Sequence, residues 1–168
     1  ELYSGASVPF KYKGANQTEM VDAGVKADPS TGNAVAYGNN TLSGTNELTC
    51  TYVDSPLGMY MYLSNVIMSS DLTVGKKYRL TVDAKYSGGS AGTTLKYQPS
   101  GTGVEFSAAL TTSYVTYTWE FIAGAAATCY FSFSGMGASN VGYIDNLSVV
   151  PIGAVAEYDG SSAGVAKW

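Results

Sequence analysis

The residues best equipped for chemistry in this 168-residue chain are flat and polar rather than nucleophilic. It holds 14 tyrosines and no histidine. Without an imidazole there is no Ser–His or Cys–His pair to activate a nucleophile. Two cysteines without histidine do not make a zinc site either. Paired carboxylates can hydrolyse a glycoside, but Asp22, Asp28, Glu47, Asp54, Asp71, Asp83, Glu105 and Glu120 are scattered and no two stand out as a pair. The sequence therefore argues against an enzyme. What remains is recognition. A tyrosine offers an apolar ring face and a hydroxyl, and the row Arg79, Asp83, Lys85 offers charged donors and acceptors on a chain that uses charge sparingly.

These residues must be held by strands. Over Thr73–Tyr86, a turn is followed by strict alternation. Tyr78, Leu80, Val82, Ala84 and Tyr86 point one way, and Lys77, Arg79, Thr81, Asp83 and Lys85 the other. Period two over this length predicts a strand with one face in a core. The same pattern places Leu48, Cys50 and Tyr52 on one face. It sets Met59, Met61 and Leu63 against Tyr60 and Tyr62, and puts Val115, Tyr117, Trp119 and Phe121 in the core. Thr93–Gln98, Thr128–Ser134 and Val141–Val150 complete the long strands, with Tyr143, Asp145, Leu147 and Val149 expected on one side. Short strands are expected at Met20–Val21, Ala34–Tyr37 and Val104–Phe106, with a turn at Asp28–Asn33. No stretch has a helical period. Strands about ten residues apart with turn signals between them indicate an all-β sandwich or barrel.

Residues 20–150 form the expected domain, flanked by an extended N-terminal arm at 1–19 and a linker or second arm at 151–168. Cys50 and Cys129 fall in different strands. Either they form a disulfide across the sandwich or they are two buried thiols. A net charge of −4 with no basic block argues against nucleic acid, and no apolar run is long enough to span a bilayer. The start at Glu1, without Met or a signal-like stretch, suggests an excised or processed piece of a longer chain.

Two segments carry a resemblance: Leu72-Thr73-Val74-Gly75-Lys76-Lys77-Tyr78 and Val141-Gly142-Tyr143-Ile144-Asp145-Asn146-Leu147-Ser148-Val149. With Leu95-Lys96-Tyr97, the run from Tyr114 to Phe121 and Tyr130-Phe131-Ser132-Phe133 between them, about residues 33–150 resemble the jelly-roll carbohydrate-binding modules of the xylan- and glucan-binding group. The flavour is that of modules in bacteriophage virion and tail proteins. Glu1–Gly5 resembles the end of a laminin-G or concanavalin-like domain, and Ala154–Gly160 with Lys167-Trp168 the start of another. The Asn-Gly-x-Phe-Glu motif usual on the first strand of such modules has no counterpart here.

The resemblance implies a jelly roll of about eight to ten antiparallel strands that binds a polysaccharide or cell-surface glycan on its concave sheet, without catalysis. It implies an extracellular or virion setting, with neighbouring lectin-like domains in the same polypeptide. On the alternation above, the ligand-binding residues are Tyr60, Tyr62, Arg79, Asp83, Lys85, Lys96, Gln98 and Tyr130, with Tyr97 on the opposite side of its strand. It further implies a structural Ca²⁺ held by Asp145. Two plainer readings stand beside these. Arg79 and Asp83 can pair along one strand face, and Asp145 can bond neighbouring backbone. The whole module can also be a structural spacer or assembly element with no sugar ligand.

Overall fold

Apolar residues at every second position demand a face to bury against, and two sheets meet that demand in each other. The computed structural model describes residues 10–13, 18–54, 57–88, 92–98, 106–125, 130–152 and 155–158, the first and last of these as backbone only. The described strands are β1 (Phe10–Lys13), β2 (Ala34–Ala36), β3 (Thr41–Ser43), β4 (Leu48–Thr51), β5 (Leu57–Tyr62) and β6 (Lys77–Ser87), then β7 (Thr94–Gln98), β8 (Phe106–Ala109), β9 (Val115–Ile122), β10 (Tyr130–Ser134), β11 (Val141–Pro151) and β12 (Val155–Tyr158). One five-stranded sheet runs β2-β5-β10-β7-β8 and the other β3-β4-β11-β6-β9, with every pairing antiparallel. From β4 to β7, and again from β8 to β11, each step crosses from one sheet to the other. This is a jelly-roll β-sandwich, as the sequence predicts.

The core fills as the alternation requires. Tyr78, Leu80, Val82 and Ala84 of β6 are buried, and so are Met59, Met61, Leu95, Tyr97, Phe131 and Phe133 from the facing sheet. Tyr97 and Phe121 meet across the sandwich with ring centroids 4.4 Å apart, and Phe121 stacks on Tyr78 at 5.8 Å. One close approach fixes a residue type. A Cβ on Gly142 of β11 would lie 2.5 Å from the Phe133 ring, so only glycine leaves that ring its place. Cys50 is a buried free thiol, and burial pushes its pKa up to about 12. Cys129, Val104 and Glu105 lie outside the described residues, as do the end segments Glu1–Gly5 and Lys167-Trp168 that suggested flanking domains.

Several expectations change. A short helix α1 (Ala23–Ala27) and a single 3-10 turn (Pro29–Thr31) precede β2, both too short for a helical period to register. Met20-Val21 is not a strand but a single bridge from Val21 to Met68. On β9, Phe121 is buried and Trp119 and Tyr117 pack against the core, but Val115, the first residue of this edge strand, is 40% exposed. On β11 the pairing shifts between Asp145 and Ser148, where three steps oppose two on β6. Such a bulge exchanges the faces beyond it. Tyr143 and Asp145 therefore point outward while Leu147 and Val149 are buried, rather than all four sharing a side. Lastly, β1 and β12, within the two segments expected as arms or linkers, pair with each other as a two-stranded ribbon, Phe10 opposite Tyr158 and Lys13 opposite Val155.

Candidate functional site: the tyrosine face

The outer face of the β2-β5-β10-β7-β8 sheet is read from its direct cross-strand pairs. One row is Val35, Tyr60, Ser132, Lys96 and Ser107. The next is Tyr62, Tyr130 and Gln98. Pleating turns the neighbours of these residues, Met61, Phe131, Phe133, Leu95 and Tyr97, into the core. Tyr60, Tyr62 and Tyr130 are half-buried and close on one another, with centroids 5.2 Å apart for Tyr60–Tyr62 and 5.7 Å for each contact with Tyr130. The rings meet tilted or edge to face, as their quadrupoles prefer. Tyr37, 45% exposed, extends the group at 6.4 Å from Tyr60. Burial, then the neighbouring Tyr62 and Tyr37 phenols, push the Tyr60 hydroxyl pKa up, so it stays a neutral donor.

Polar atoms around these rings are left without partners. Ser132 Oγ is fully buried, flanked by Tyr60 and Lys96, and makes no hydrogen bond. Gln98 Oε1, beside Tyr130, and Asn33 Oδ1, one residue before β2, are also buried and unpaired. A buried acceptor with no donor costs free energy that a ligand hydroxyl can recover once the covering side chains shift to admit it. A flat cluster of phenols bordered by unmet amide and hydroxyl groups suits a ligand with apolar C–H faces and many hydroxyls. Five of the eight predicted binding residues meet here: Tyr60, Tyr62, Lys96, Gln98 and Tyr130.

The other three do not. Arg79, Asp83 and Lys85 lie on β6, in the opposite sheet, and face away from the tyrosines across the full thickness of the sandwich. Nor do Arg79 and Asp83 pair along their strand. Arg79 Nη2 and Lys77 Nζ each lie 2.8 Å from the Glu120 carboxylate of β9. Asp83 accepts from Thr116 Oγ1 and, at 2.8 Å, from Asn146 Nδ2. Lys85 Nζ sits over the rings of Tyr114 and Tyr143, at 4.3 and 4.6 Å from their centroids, and Tyr114 donates to Glu47. That face is already satisfied by its own groups.

Asp145 stands directly opposite Asp83 and accepts from the Asn146 backbone N–H at 2.7 Å. Calcium takes about six to eight oxygen ligands. Here two carboxylates face each other, three of their oxygens already hold donors, and no third acidic group joins them among the described residues. The donor set at Asp145 does not fit a calcium shell. Glu19, which accepts from the β11 backbone at Val149, is committed elsewhere. Its Oε1 accepts from the N–H groups of Met20, Val21 and Val149, and its Oε2 from Lys26 Nζ at 2.6 Å.

Sequence reasoning passed over Tyr37, Ser132 and Asn33. Tyr37 shares the parity of Val35 on a strand it had recognised, so that signal was present. Ser132 lies between Phe131 and Phe133, and nothing in its residue type marks an orphaned hydroxyl. A cleft of about 190 Å³ lined by Ser30, Ala34, Leu42, Ser43, Gly44 and Leu48 has no aromatic or charged side chain and is a poor rival.

No protein-family model and no curated protein matches the sequence. Solved structures do share the fold. The CBM22-1 xylan-binding domain of Paenibacillus barcinonensis Xyn10C superposes with a TM-score of 0.57 at 13% identity, over 89% of this chain and 100% of that one. The N-terminal cellulose-binding domain of Cellulomonas fimi beta-1,4-glucanase C gives 0.51 at 20% identity, over 73% and 90%. The C-terminal family 22 carbohydrate-binding module of Clostridium thermocellum Xyn10B gives 0.51 at 19% identity, over 83% and 95%.

Proposed function

We propose that this chain is a non-catalytic carbohydrate-binding module whose glycan lies on the tyrosine face. Tyr37, Tyr60, Tyr62 and Tyr130 supply ring faces and hydroxyls, and Asn33, Lys96, Gln98 and Ser132 supply polar contacts. The observation that carries the reading is the coincidence of a half-buried tyrosine cluster with the unpaired Ser132 Oγ and Gln98 Oε1. The fold shared with modules named for xylan and cellulose binding supports it. Arg79, Asp83 and Lys85 have no part in this site. The same proposal sets the module in a longer extracellular or virion polypeptide with lectin-like neighbours, a setting that rests on the sequence resemblance. Had the three tyrosines been buried, the spacer reading would gain. Their half-burial leaves ring surface for a ligand.

The test is a polysaccharide panel, read by affinity electrophoresis and calorimetry on the folded domain. Wild type should bind at least one xylan or glucan. The double variant Tyr60→Ala/Tyr62→Ala, with circular dichroism and melting showing that it is folded, should lose that binding. Full affinity in the folded double variant would take the site away from this face.

A further inference from the structure

The two sheets carry four cationic residues among the described strands: Lys77, Arg79, Lys85 and Lys96. Three of them are occupied. Lys77 and Arg79 share Glu120, and Lys85 is held between two tyrosine rings. Among the described residues, Lys96 alone of these four has no hydrogen bond, ion pair or ring contact. It is also the one set on the tyrosine face. Its direct cross-strand neighbours are Ser132 and Ser107, both uncharged. Neither row of this face contains a carboxylate among the described residues, on a protein whose net charge is −4. Among the described residues, then, Lys96 is the one charged side chain of this face, and it stands beside the buried, unpaired Ser132 Oγ.

We infer that the glycan is acidic: a sugar bearing a carboxylate or sulfate, seated so that its anion meets Lys96 while its neighbours pack on Tyr60, Tyr62 and Tyr130. The inference rests on the proposed sugar site and adds the charge of its ligand. An ammonium is a compact point charge on a flexible stem and selects for negative charge more than for anion geometry. Discrimination between acidic and neutral versions of one polymer should be about fivefold, the upper range for a partly exposed ion pair.

The experiment measures wild-type affinity for matched polymers. Glucuronoxylan is compared with its carboxyl-reduced form, and a sulfated galactan with its desulfated form, so that the two pairs separate carboxylate from sulfate as the source of charge. At least one pair should show a preference of about fivefold for the acidic member. That preference should shrink as salt rises from about 50 mM to about 500 mM, where screening shortens to a few ångströms. It should fall to near one in Lys96→Gln and persist in Lys96→Arg. Equal affinity within both pairs would overturn the acidic ligand and leave the tyrosine site standing. A preference that survives Lys96→Gln would also overturn it. Failure of wild type to bind any polymer, neutral or acidic, would remove the sugar site along with it.

Discussion

Replacing Asn40 with alanine should cost about 3 kcal/mol, although its side chain bonds only backbone groups. Its side chain is buried at 6% exposure between β2 and β3 and uses all of its bonding capacity. Nδ2 donates to the carbonyls of Leu57 and Gly58 at 2.9 and 3.1 Å, and Oδ1 accepts from the N–H groups of Val53 and Asp54 at 2.7 and 3.1 Å. One amide thus clamps both ends of the loop joining β4 to β5, the strand that carries Tyr60 and Tyr62. A satisfied hydrogen bond contributes about 1 kcal/mol net, and an acceptor left buried costs about 1–3 kcal/mol. The Leu57 carbonyl therefore carries the largest share of the loss, since that of Gly58 keeps the Tyr37 N–H as a second donor at 3.2 Å. The Val53 and Asp54 N–H groups belong to exposed residues that water can reach, so they add less. For a domain of this size the loss corresponds to a fall in melting temperature of about 6–12 °C. Urea unfolding followed by far-ultraviolet circular dichroism would measure it, with Asn39→Ala as the control. Asn39 bonds Asp54 in the same loop but in exposed positions, so its loss should stay below about 1 kcal/mol. A loss under about 1 kcal/mol for Asn40→Ala, or equal losses for the two variants, would refute the assignment of loop stability to this clamp.

Gly142→Ala should destabilise by about 1–3 kcal/mol, the usual cost of overpacking, because its new methyl meets the Phe133 ring; the companion change Phe133→Leu should recover part of the loss in a double-mutant cycle. At Glu19, burial opposes ionisation, but hydrogen bonds from Lys26, Ser148, Val21 and Val149 outweigh it and hold the carboxyl below its ordinary pKa. A depressed carboxyl contributes stability that is fully present above its unfolded pKa and is lost as pH falls through the folded one. Glu19→Gln should thus flatten the decline of melting temperature between about pH 5 and about pH 3, and an unchanged acid limb would count against it. Calcium at millimolar level, or EDTA, should leave the melting temperature unchanged; a calcium-dependent rise that Asp145→Asn abolishes would show that a shell forms there after all.

The inward-facing half of this molecule was open to sequence reasoning because burial repeats every second residue. Tyr78, Leu80, Val82 and Ala84, Met59 with Met61, and Phe131 with Phe133 all fall inside where alternation puts them. Alternation separates inside from outside, but it does not say which of two sheets a strand joins. In a jelly roll consecutive strands mostly change sheets, so Tyr62 on β5 and Arg79 on β6, close in sequence and both outward, end on opposite surfaces. The sequence names Tyr60, Tyr62 and Tyr130 together but cannot separate them from Arg79, Asp83 and Lys85; that follows only from β10 lying between β5 and β7. The bulge after Asp145 was hidden for a related reason. One inserted residue, with Asn146 at φ 49°, resets the parity while the composition of the strand stays unchanged.

The ribbon of β1 and β12 bears on how this domain would answer a pull. Phe10 faces Tyr158 at its outer end and Lys13 faces Val155 at its inner end. The two chain directions therefore leave the sandwich side by side, about 4.8 Å apart. Tension applied through both flanks would not shear the ladder with all its bonds loaded at once. It would open the ribbon like a zipper, one residue pair at a time, from Phe10–Tyr158 inward. The first element to yield to force would then be the tether, releasing a few nanometres of slack before either sheet bore load and leaving a glycan on the tyrosine face undisturbed.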